Sequence, residues 1–204
     1  MSAARLDGTD CVYILPATDP DDVSFGLPDR ELAALDQVAN SRVERIVFAE
    51  QVWYNAAVRA EVFKQIESCE EGLLSPRRHL VGFSKSGCGA LNLLLDRPGF
   101  FVGALIFDAP FFNEDISRWG IGPFYESVEA LYVDTAQGRE AEWASLADTQ
   151  LTLVAGEYFK ADTERLARGL QALCLSCRVE SSQSYAHRWD SGWLSRFWPV
   201  RTAR

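Results

Sequence analysis

A serine, a histidine and three carboxylates in this sequence have the types and spacing that nucleophilic acyl chemistry requires. Ser84 lies in the segment GFSKSG, residues 82–87, and His187 is one of two histidines in the chain. A serine hydroxyl is a poor nucleophile at neutral pH, so it needs an imidazole that accepts its proton. The imidazole in turn needs a carboxylate that fixes its tautomer and stabilises its charged form. These residues indicate attack on a carbonyl carbon, provided that the fold brings them together.

The segment around Ser84 has the pattern of a sharp turn between a strand and a helix. A short apolar run precedes it, and apolar residues at helical spacing continue from Ala90 onward. A side chain at either flank of the serine is expected to collide with the strand or the helix. Gly82, two residues before Ser84, meets this requirement, whereas Ser86, two residues after, is small but is not glycine. A turn that merely packs a helix onto a sheet has the same pattern.

The segment resembles the nucleophile elbow of the α/β-hydrolase superfamily, written G-x-S-x-G. The resemblance spans roughly residues 11–198 and implies that an acid and a histidine follow the serine, each after a later strand. His187 follows the last predicted strand, and residues 187–193 are similar to the histidine loop of esterase-like members. His79 begins the strand that Ser84 ends, about 16 Å away at about 3.3 Å per residue. We therefore expect His187, and not His79, to accept the proton of Ser84.

Three carboxylates compete for the place beside His187. Asp162 follows the strand predicted at 151–155, where the resemblance places the acid, although it equally suits the N-cap of the next helix. Asp108 ends the preceding strand, a position that some lipases of the superfamily use instead. Glu157 is nearer to its strand end, but its side chain is free to point elsewhere. Asp162 is the preferred acid, with Asp108 and Glu157 as alternatives.

The resemblance also implies two backbone donors for a negatively charged oxygen. One is the N–H of Lys85, directly after the nucleophile at a helix N-terminus. The second comes from the loop after the first predicted strand, residues 11–16. That loop carries no His-Gly or Gly-Gly pair, so the backbone of Ala17 is the candidate.

Strands that alternate with helices predict an α/β fold with a mostly parallel sheet. Several strands are apolar throughout, as a sheet covered on both faces requires. The pattern predicts one domain over residues 1–204, with about six strands flanked by helices, and this arrangement resembles a compact α/β-hydrolase core. The predicted strands are 11–16, 45–49, 80–83, 102–107, 151–155 and 177–182, and the predicted helices are 29–38, 55–71, 90–96, 163–173 and 193–198.

Residues 111–150 differ from the rest, because they are aromatic, broken by glycine and show no clear strand. The superfamily inserts its lid or cap between strands at this point, so we predict a lid or cap here. The aromatic side chains either line an acyl or alcohol pocket or cover the edge of the sheet. They are Phe111, Phe112, Trp119, Phe124, Tyr125 and Trp143.

Composition restricts the partners. The chain of 204 residues is 48% hydrophobic and 12% aromatic, as globular proteins are. Its net charge of −9 disfavours nucleic acid and anionic membranes as partners. No apolar run reaches the roughly 18 residues of a membrane helix, and no secretory signal is recognisable, so a cytoplasmic location is expected. Five scattered cysteines, two of them in the C-x-x-C at 174–177, favour buried free thiols over zinc or redox use.

Two hypotheses of different classes follow. The first is a serine hydrolase of the esterase type that cleaves an ester or related acyl bond of an uncharged small molecule, without metal or organic cofactor. Acyl transfer or C–C bond chemistry on the same residues is a variant of it. The second is a catalytically inactive binding or scaffold protein with an α/β-hydrolase fold. This alternative is motivated by Ser86, by the position of Asp162 six residues past Gly156, and by the absent glycine pair.

Overall fold

The computed structural model describes residues 10–18, 22–29 and 41–197, without the side chains of Ser182 and Gln183. The helix predicted at 29–38 lies, beyond its first residue, outside the described residues, as does residue 198 of the last predicted helix. The strands are β1 (Asp10–Ile14), β2 (Arg42–Arg45), β3 (Arg77–Phe83), β4 (Gly103–Phe107), β5 (Gln150–Gly156) and β6 (Cys177–Tyr185). The helices are α1 (Ala56–Cys69), α2 (Lys85–Asp96), α3 (Val128–Tyr132), α4 (Lys160–Ala172) and α5 (Trp193–Phe197), with a 3₁₀ helix at Glu140–Leu146.

These strands form one parallel sheet in the order β2-β1-β3-β4-β5-β6. The α/β fold class and the expectation of about six strands are confirmed for the described residues. Parallel neighbours need crossover connections, which α1, α2 and α4 supply here. The carboxyl ends of β3, β4, β5 and β6 consequently meet at one edge of the sheet.

Each face of the sheet carries its own apolar core, because side chains alternate along every strand. In β1, Tyr13 packs on one face and Val12 and Ile14 pack on the other. The first core receives the apolar sides of α1, α2 and α4. The second receives Trp189 and α5, from the end of the described chain.

Several predicted boundaries were wrong, and three of them affect the description of the sheet and the site. β2 was expected at 45–49 but lies at 42–45, where it is the edge strand and pairs with β1 alone, so apolar content is a poor guide to its position. β6 continues to Tyr185 because a register shift opposite residues 154–156 accommodates extra residues. α4 begins at Lys160, so Asp162 lies in its first turn and is not its N-cap, which is Phe159.

Hydrogen-bonded ion pairs attach the segment 111–150 to helices α1 and α2. Arg139 donates to Asp96 at 2.6 Å, and Arg59 donates to Asp96 at 2.6 Å and to Asp134 at 2.8 Å. Asn92 on α2 donates to the carbonyl oxygen of Asp134 at 2.8 Å. The segment is therefore held against α1 and α2 by hydrogen-bonded ion pairs as well as by apolar packing.

Candidate active site

Ser84 occupies the turn between β3 and α2 with φ 53° and ψ −129°. Such a backbone conformation costs a residue with a side chain about 1–3 kcal/mol. The turn is held by the Ser84 N–H, which donates to the Phe107 carbonyl oxygen at 3.0 Å, and by the Gly87 N–H, which donates to the Ser84 carbonyl oxygen at 2.9 Å. This is the strained geometry expected for a serine at the apex of a sharp turn.

The two flanks of Ser84 differ in their tolerance for a side chain. A Cβ at Gly82 would lie 2.5 Å from the carbonyl oxygen of Ser86 and 2.8 Å from Cα of Gly87, so glycine is required there. The expected collision at Ser86 does not occur. Its Oγ is 2.8 Å from the Phe83 carbonyl oxygen and 2.9 Å from the Phe83 amide nitrogen, so the hydroxyl donates to one and accepts from the other. A serine therefore fits where the superfamily pattern has glycine.

The ring of His187 is paired with Asp108. Nδ1 of His187 lies 2.6 Å from Oδ2 of Asp108, and both side chains are buried, with 6% and 0% of their surface exposed. Asp108 directly follows β4 with φ 43°, and His187 comes two residues after the end of β6. A proton on Nδ1 would bind this carboxylate, which leaves Nε2 as the basic nitrogen.

The buried Asp108 carboxylate receives three backbone N–H groups as well as the imidazole. Oδ1 accepts from Gly156 at 3.1 Å and from Phe159 at 2.7 Å, and Oδ2 accepts from Tyr158 at 3.2 Å. A Cβ at Gly156 would lie 2.3 Å from Cγ of Asp108, so this close approach requires glycine. The donors replace the water that the carboxylate loses on burial.

The expectation that Asp162 lies against His187 is wrong in this structure. Oδ2 of Asp162 accepts a hydrogen bond from the Phe112 N–H at 3.1 Å, which ties α4 to the segment after β4. Burial, with a smaller contribution from Asp108, raises the pKa of Asp162. Because β4 and β5 are neighbours, the carboxyl end of either strand can supply an acid to this edge, and spacing in sequence does not choose between them.

The side chain of Glu157 bonds to the backbone of His187 and not to its ring. Its Oε1 accepts a hydrogen bond from the His187 N–H at 3.0 Å, and its own N–H donates to Tyr185 at 2.9 Å. Glu157 therefore positions the histidine loop and does not touch the imidazole nitrogens.

Four aromatic side chains that the sequence analysis did not single out enclose the His187 ring. Tyr158 stacks on it with centroids 4.6 Å apart, and Phe83 lies at 4.5 Å on a tilted plane. Phe25 and Phe159 meet it edge-on at 5.6 and 5.7 Å. The pair Tyr158-Phe159 directly after β5 was the available signal, since the residues after each strand face this edge of the sheet.

Ser84 and His187 line one cavity of about 320 Å³. Its wall also includes Ala17, Lys85 and Asp22. Hydrogen bonds from Ser24 lower the pKa of Asp22, and the charge of Lys85 adds a smaller effect. The wall is otherwise largely aromatic, from Phe25, Trp53, Phe83, Trp119, Tyr158 and Phe159.

Of the six aromatic residues predicted to line a pocket or cover the sheet edge, Trp119 lines this cavity. Its carbonyl oxygen accepts from Nε1 of Trp53 at 3.0 Å, which fixes the loop at the mouth. Phe111 and Trp143 are instead buried in the first core, and Tyr125 is buried in a small cluster with Trp53. Pocket lining therefore occurs for Trp119, whereas Phe111, Trp143 and Tyr125 belong to buried clusters.

Possible metal ligands, the cysteines and the helix lengths are further features of the described residues. Within residues 10–18, 22–29 and 41–197, no three His, Cys, Asp or Glu side chains converge as metal ligands do. The five cysteines are free thiols, and Cys174 of the C-x-x-C is exposed, whereas Cys11 is buried as expected. None of the described helices has the length and apolarity to cross a membrane.

This chain is similar to known proteins in its structure and not in its sequence. No known family's sequence profile matches this chain, and no curated protein is similar to it in sequence. Solved structures that are similar to it include a ferulic acid esterase, with a TM-score of 0.67 and 13% identity over 93% of this chain and 82% of the esterase. Carboxyl esterase 2 from the mycorrhizal fungus Tuber melanosporum has a TM-score of 0.66 and 13% identity over 94% and 74% of the two chains.

MPT51 of Mycobacterium tuberculosis has a TM-score of 0.59 and 11% identity, over 93% of this chain and 85% of that protein. Identities of this size show a common fold alone.

Proposed function

We propose that this protein, whose fold is that of the α/β-hydrolases, is a serine hydrolase of the esterase type. The observation that carries the proposal is that Ser84 and His187 line one cavity while Nδ1 of His187 is paired with the buried Asp108. The esterases among the similar structures support it. This division of roles, with a nucleophile, a base and an orienting acid, is what acyl transfer to a hydroxyl requires.

In the proposed reaction, Oγ of Ser84 attacks the carbonyl carbon of an ester, and Nε2 of His187 takes the serine proton. Asp108 keeps the other imidazole proton on Nδ1 and stabilises the imidazolium. The N–H groups of Lys85 and Ala17 stabilise the oxygen on which negative charge develops. His187 then protonates the leaving alcohol, and a water molecule activated by His187 releases the acyl group and restores Ser84.

The proposed substrate is a small, uncharged ester. A cavity of about 320 Å³ is at the lower end of the size typical for small-molecule sites, and its wall is mainly aromatic. Trp119 and Tyr158 belong to this wall and are both exposed, so they provide apolar surface at the mouth as well. We propose that residues 111–150 act as the cap, since they supply Trp119.

A fluorophosphonate probe tests the nucleophile. We expect it to label the wild-type protein and not the Ser84→Ala variant. Ser86→Ala is the matched control, because Ser86 is a buried serine of the same turn whose hydroxyl is bonded to Phe83 instead, and we expect this variant to remain labelled. Equal labelling of wild type and Ser84→Ala would refute the proposal. Failure of the wild type to react, with an apolar ligand still raising its melting temperature, would favour the inactive binding protein.

A further inference from the structure

The side chain of Tyr54 reaches the loop after β1 that carries Ala17. Its hydroxyl donates a hydrogen bond to the carbonyl oxygen of Pro16 at 2.7 Å. Tyr54 is 2% exposed and lies two residues before α1. Burial raises the pKa of Tyr54 well above its usual value, so the hydroxyl remains protonated and can donate.

The bond to Pro16 fixes the direction of the Ala17 N–H. The Pro16 carbonyl and the Ala17 N–H belong to the same peptide group, which is planar and trans, so the two point in opposite directions. With the carbonyl turned toward Tyr54, the N–H points away from Tyr54.

Ala17 and Ser84 follow two neighbouring strands of the sheet, β1 and β3. The last paired residues of β1 and β3 are Ile14 and Val81, and the Leu15 N–H donates to the Val81 carbonyl at 3.0 Å. Ala17 and Ser84 are each three residues beyond this last pair, and both line the same cavity.

Tyr54 is itself held against the helix that begins beside the nucleophile. Nη1 of Arg59 donates to its backbone carbonyl at 2.6 Å. A Cβ at Gly89 would lie 2.3 Å from Cγ of Tyr54, so the ring packs directly on the backbone of α2. Lys85, the other expected donor to the oxyanion, is the first residue of α2. Tyr54 therefore connects the loop that carries Ala17 to the helix that begins with Lys85.

We propose that Tyr54 is a positioning residue that orients the Pro16–Ala17 peptide so that the Ala17 N–H serves as the second oxyanion donor. The inference rests on the proposed hydrolase function. It gives a physical reason why the loop can lack a glycine pair, because a buried side chain supplies the restraint that sets the peptide plane.

The variant Tyr54→Phe removes the hydroxyl and keeps the ring. With p-nitrophenyl acetate we expect kcat to fall about tenfold and KM to stay within about twofold, since the donor acts on charge that develops only in the transition state. Removal of a donor outright costs 10²–10³-fold, and a donor that has lost its restraint should cost less.

Tyr13→Phe is the matched control. Tyr13 is a buried tyrosine on β1 whose hydroxyl donates to Glu70 at 2.7 Å, and it does not line the cavity. Both variants lose the hydrogen bonding of a buried tyrosine hydroxyl, so both melting temperatures should fall, while kcat should fall only in Tyr54→Phe. An unchanged kcat in Tyr54→Phe, or equal losses in both variants, would overturn the inference.

A measurement on the wild type keeps the inference testable should Tyr54→Phe not fold. With a phenyl trifluoromethyl ketone, Oγ of Ser84 adds to the carbonyl carbon, the carbonyl electron pair moves onto the oxygen, and the serine proton passes to His187. In protein labelled with ¹⁵N-alanine, we expect the Ala17 amide proton to shift downfield when this adduct forms. Adduct formation without that shift would exclude Ala17 as a donor and Tyr54 with it.

The proposed hydrolase function and the role of Tyr54 can be refuted separately. If the wild type neither hydrolyses the ester nor reacts with a fluorophosphonate at Ser84, the proposed function falls and takes this inference with it. If the wild type is active and Tyr54→Phe equals it, only the role of Tyr54 is refuted.

Discussion

The carboxylate of Asp108 has every attribute that an orienting acid needs. It is fully buried, it receives three backbone N–H groups, and its Oδ2 lies 2.6 Å from Nδ1 of His187. Asp162, the acid preferred in the sequence analysis because it follows β5, instead accepts a hydrogen bond from the Phe112 N–H through its Oδ2. The two aspartates belong to the same edge of the sheet, so substitution separates their roles directly.

We expect Asp108→Asn to lower kcat for p-nitrophenyl acetate by about 10⁴, because an amide nitrogen facing Nδ1 favours the wrong imidazole tautomer. The control Asp162→Asn keeps an oxygen that can accept from Phe112, and its kcat should stay within roughly threefold of wild type, under 1 kcal/mol. The reverse order of the two effects would return the catalytic role to Asp162.

The same control variant carries a prediction about stability and pH. Burial raises the pKa of Asp162 in the folded state above its ordinary value of 3.8, so folding favours the protonated carboxyl. The stability that this group contributes is therefore complete below the unfolded pKa and is lost as the pH rises through the folded one. Asp162→Asn should raise the urea midpoint at about pH 7, and the gain should shrink as the pH falls toward about 4. A gain that is independent of pH would contradict this assignment.

At the scale of elements, the turn from β3 to α2 depends on the contrast between its two flanks. Gly82 has no room for a side chain, whereas the Ser86 hydroxyl bridges the amide and carbonyl of Phe83. Ser86 is completely buried, so water cannot take over these hydrogen bonds when the hydroxyl is removed. The serine in place of glycine at residue 86 thus adds two hydrogen bonds to this turn.

We predict that Ser86→Gly, which restores the G-x-S-x-G pattern, destabilises the protein by about 2–3 kcal/mol. The loss combines unsatisfied buried groups at Phe83 with the low helix propensity of glycine. Ser86→Ala separates the two causes and should cost about 1–2 kcal/mol. Free energies of unfolding in urea provide the measurement. An increase in stability in Ser86→Gly would show that the hydroxyl bridge contributes nothing.

At the scale of the whole molecule, buried ion pairs join the segment 111–150 to the layer of helices. Arg139 is 9% exposed, donates to Asp96 on α2, and also pairs with Glu142. Removing Arg139 leaves Asp96 with Arg59 as its remaining charged partner, and the loss of a buried pair costs more than the loss of an exposed one.

Arg139→Met should lower the free energy of unfolding by about 3 kcal/mol. The matched control is Arg118→Met, since Arg118 lies in the same segment, is 66% exposed and pairs with Asp115, so its loss should cost less than about 1 kcal/mol. Chemical unfolding of both variants tests the difference. Similar small losses would mean that apolar packing alone holds the segment in place.

The sequence by itself determined the alternation of strands and helices, the turn at Ser84 and the position of His187 beyond the last strand. These features follow from local rules: apolar periodicity, the small residues that a sharp turn needs, and the order of elements along the chain. It also singled out Ala17 and Lys85, which both line the cavity.

The tertiary structure alone decided which acid faces the histidine. Asp108 and Asp162 follow adjacent strands, and the choice depends on side-chain directions and on backbone N–H groups donated by residues 156–159. The hydrogen bond from Tyr54 to Pro16 joins residues 38 positions apart and leaves no periodic signal in the chain. Contacts of this kind exist only after the sheet has brought distant loops to one edge, and so they could not be obtained from local sequence patterns.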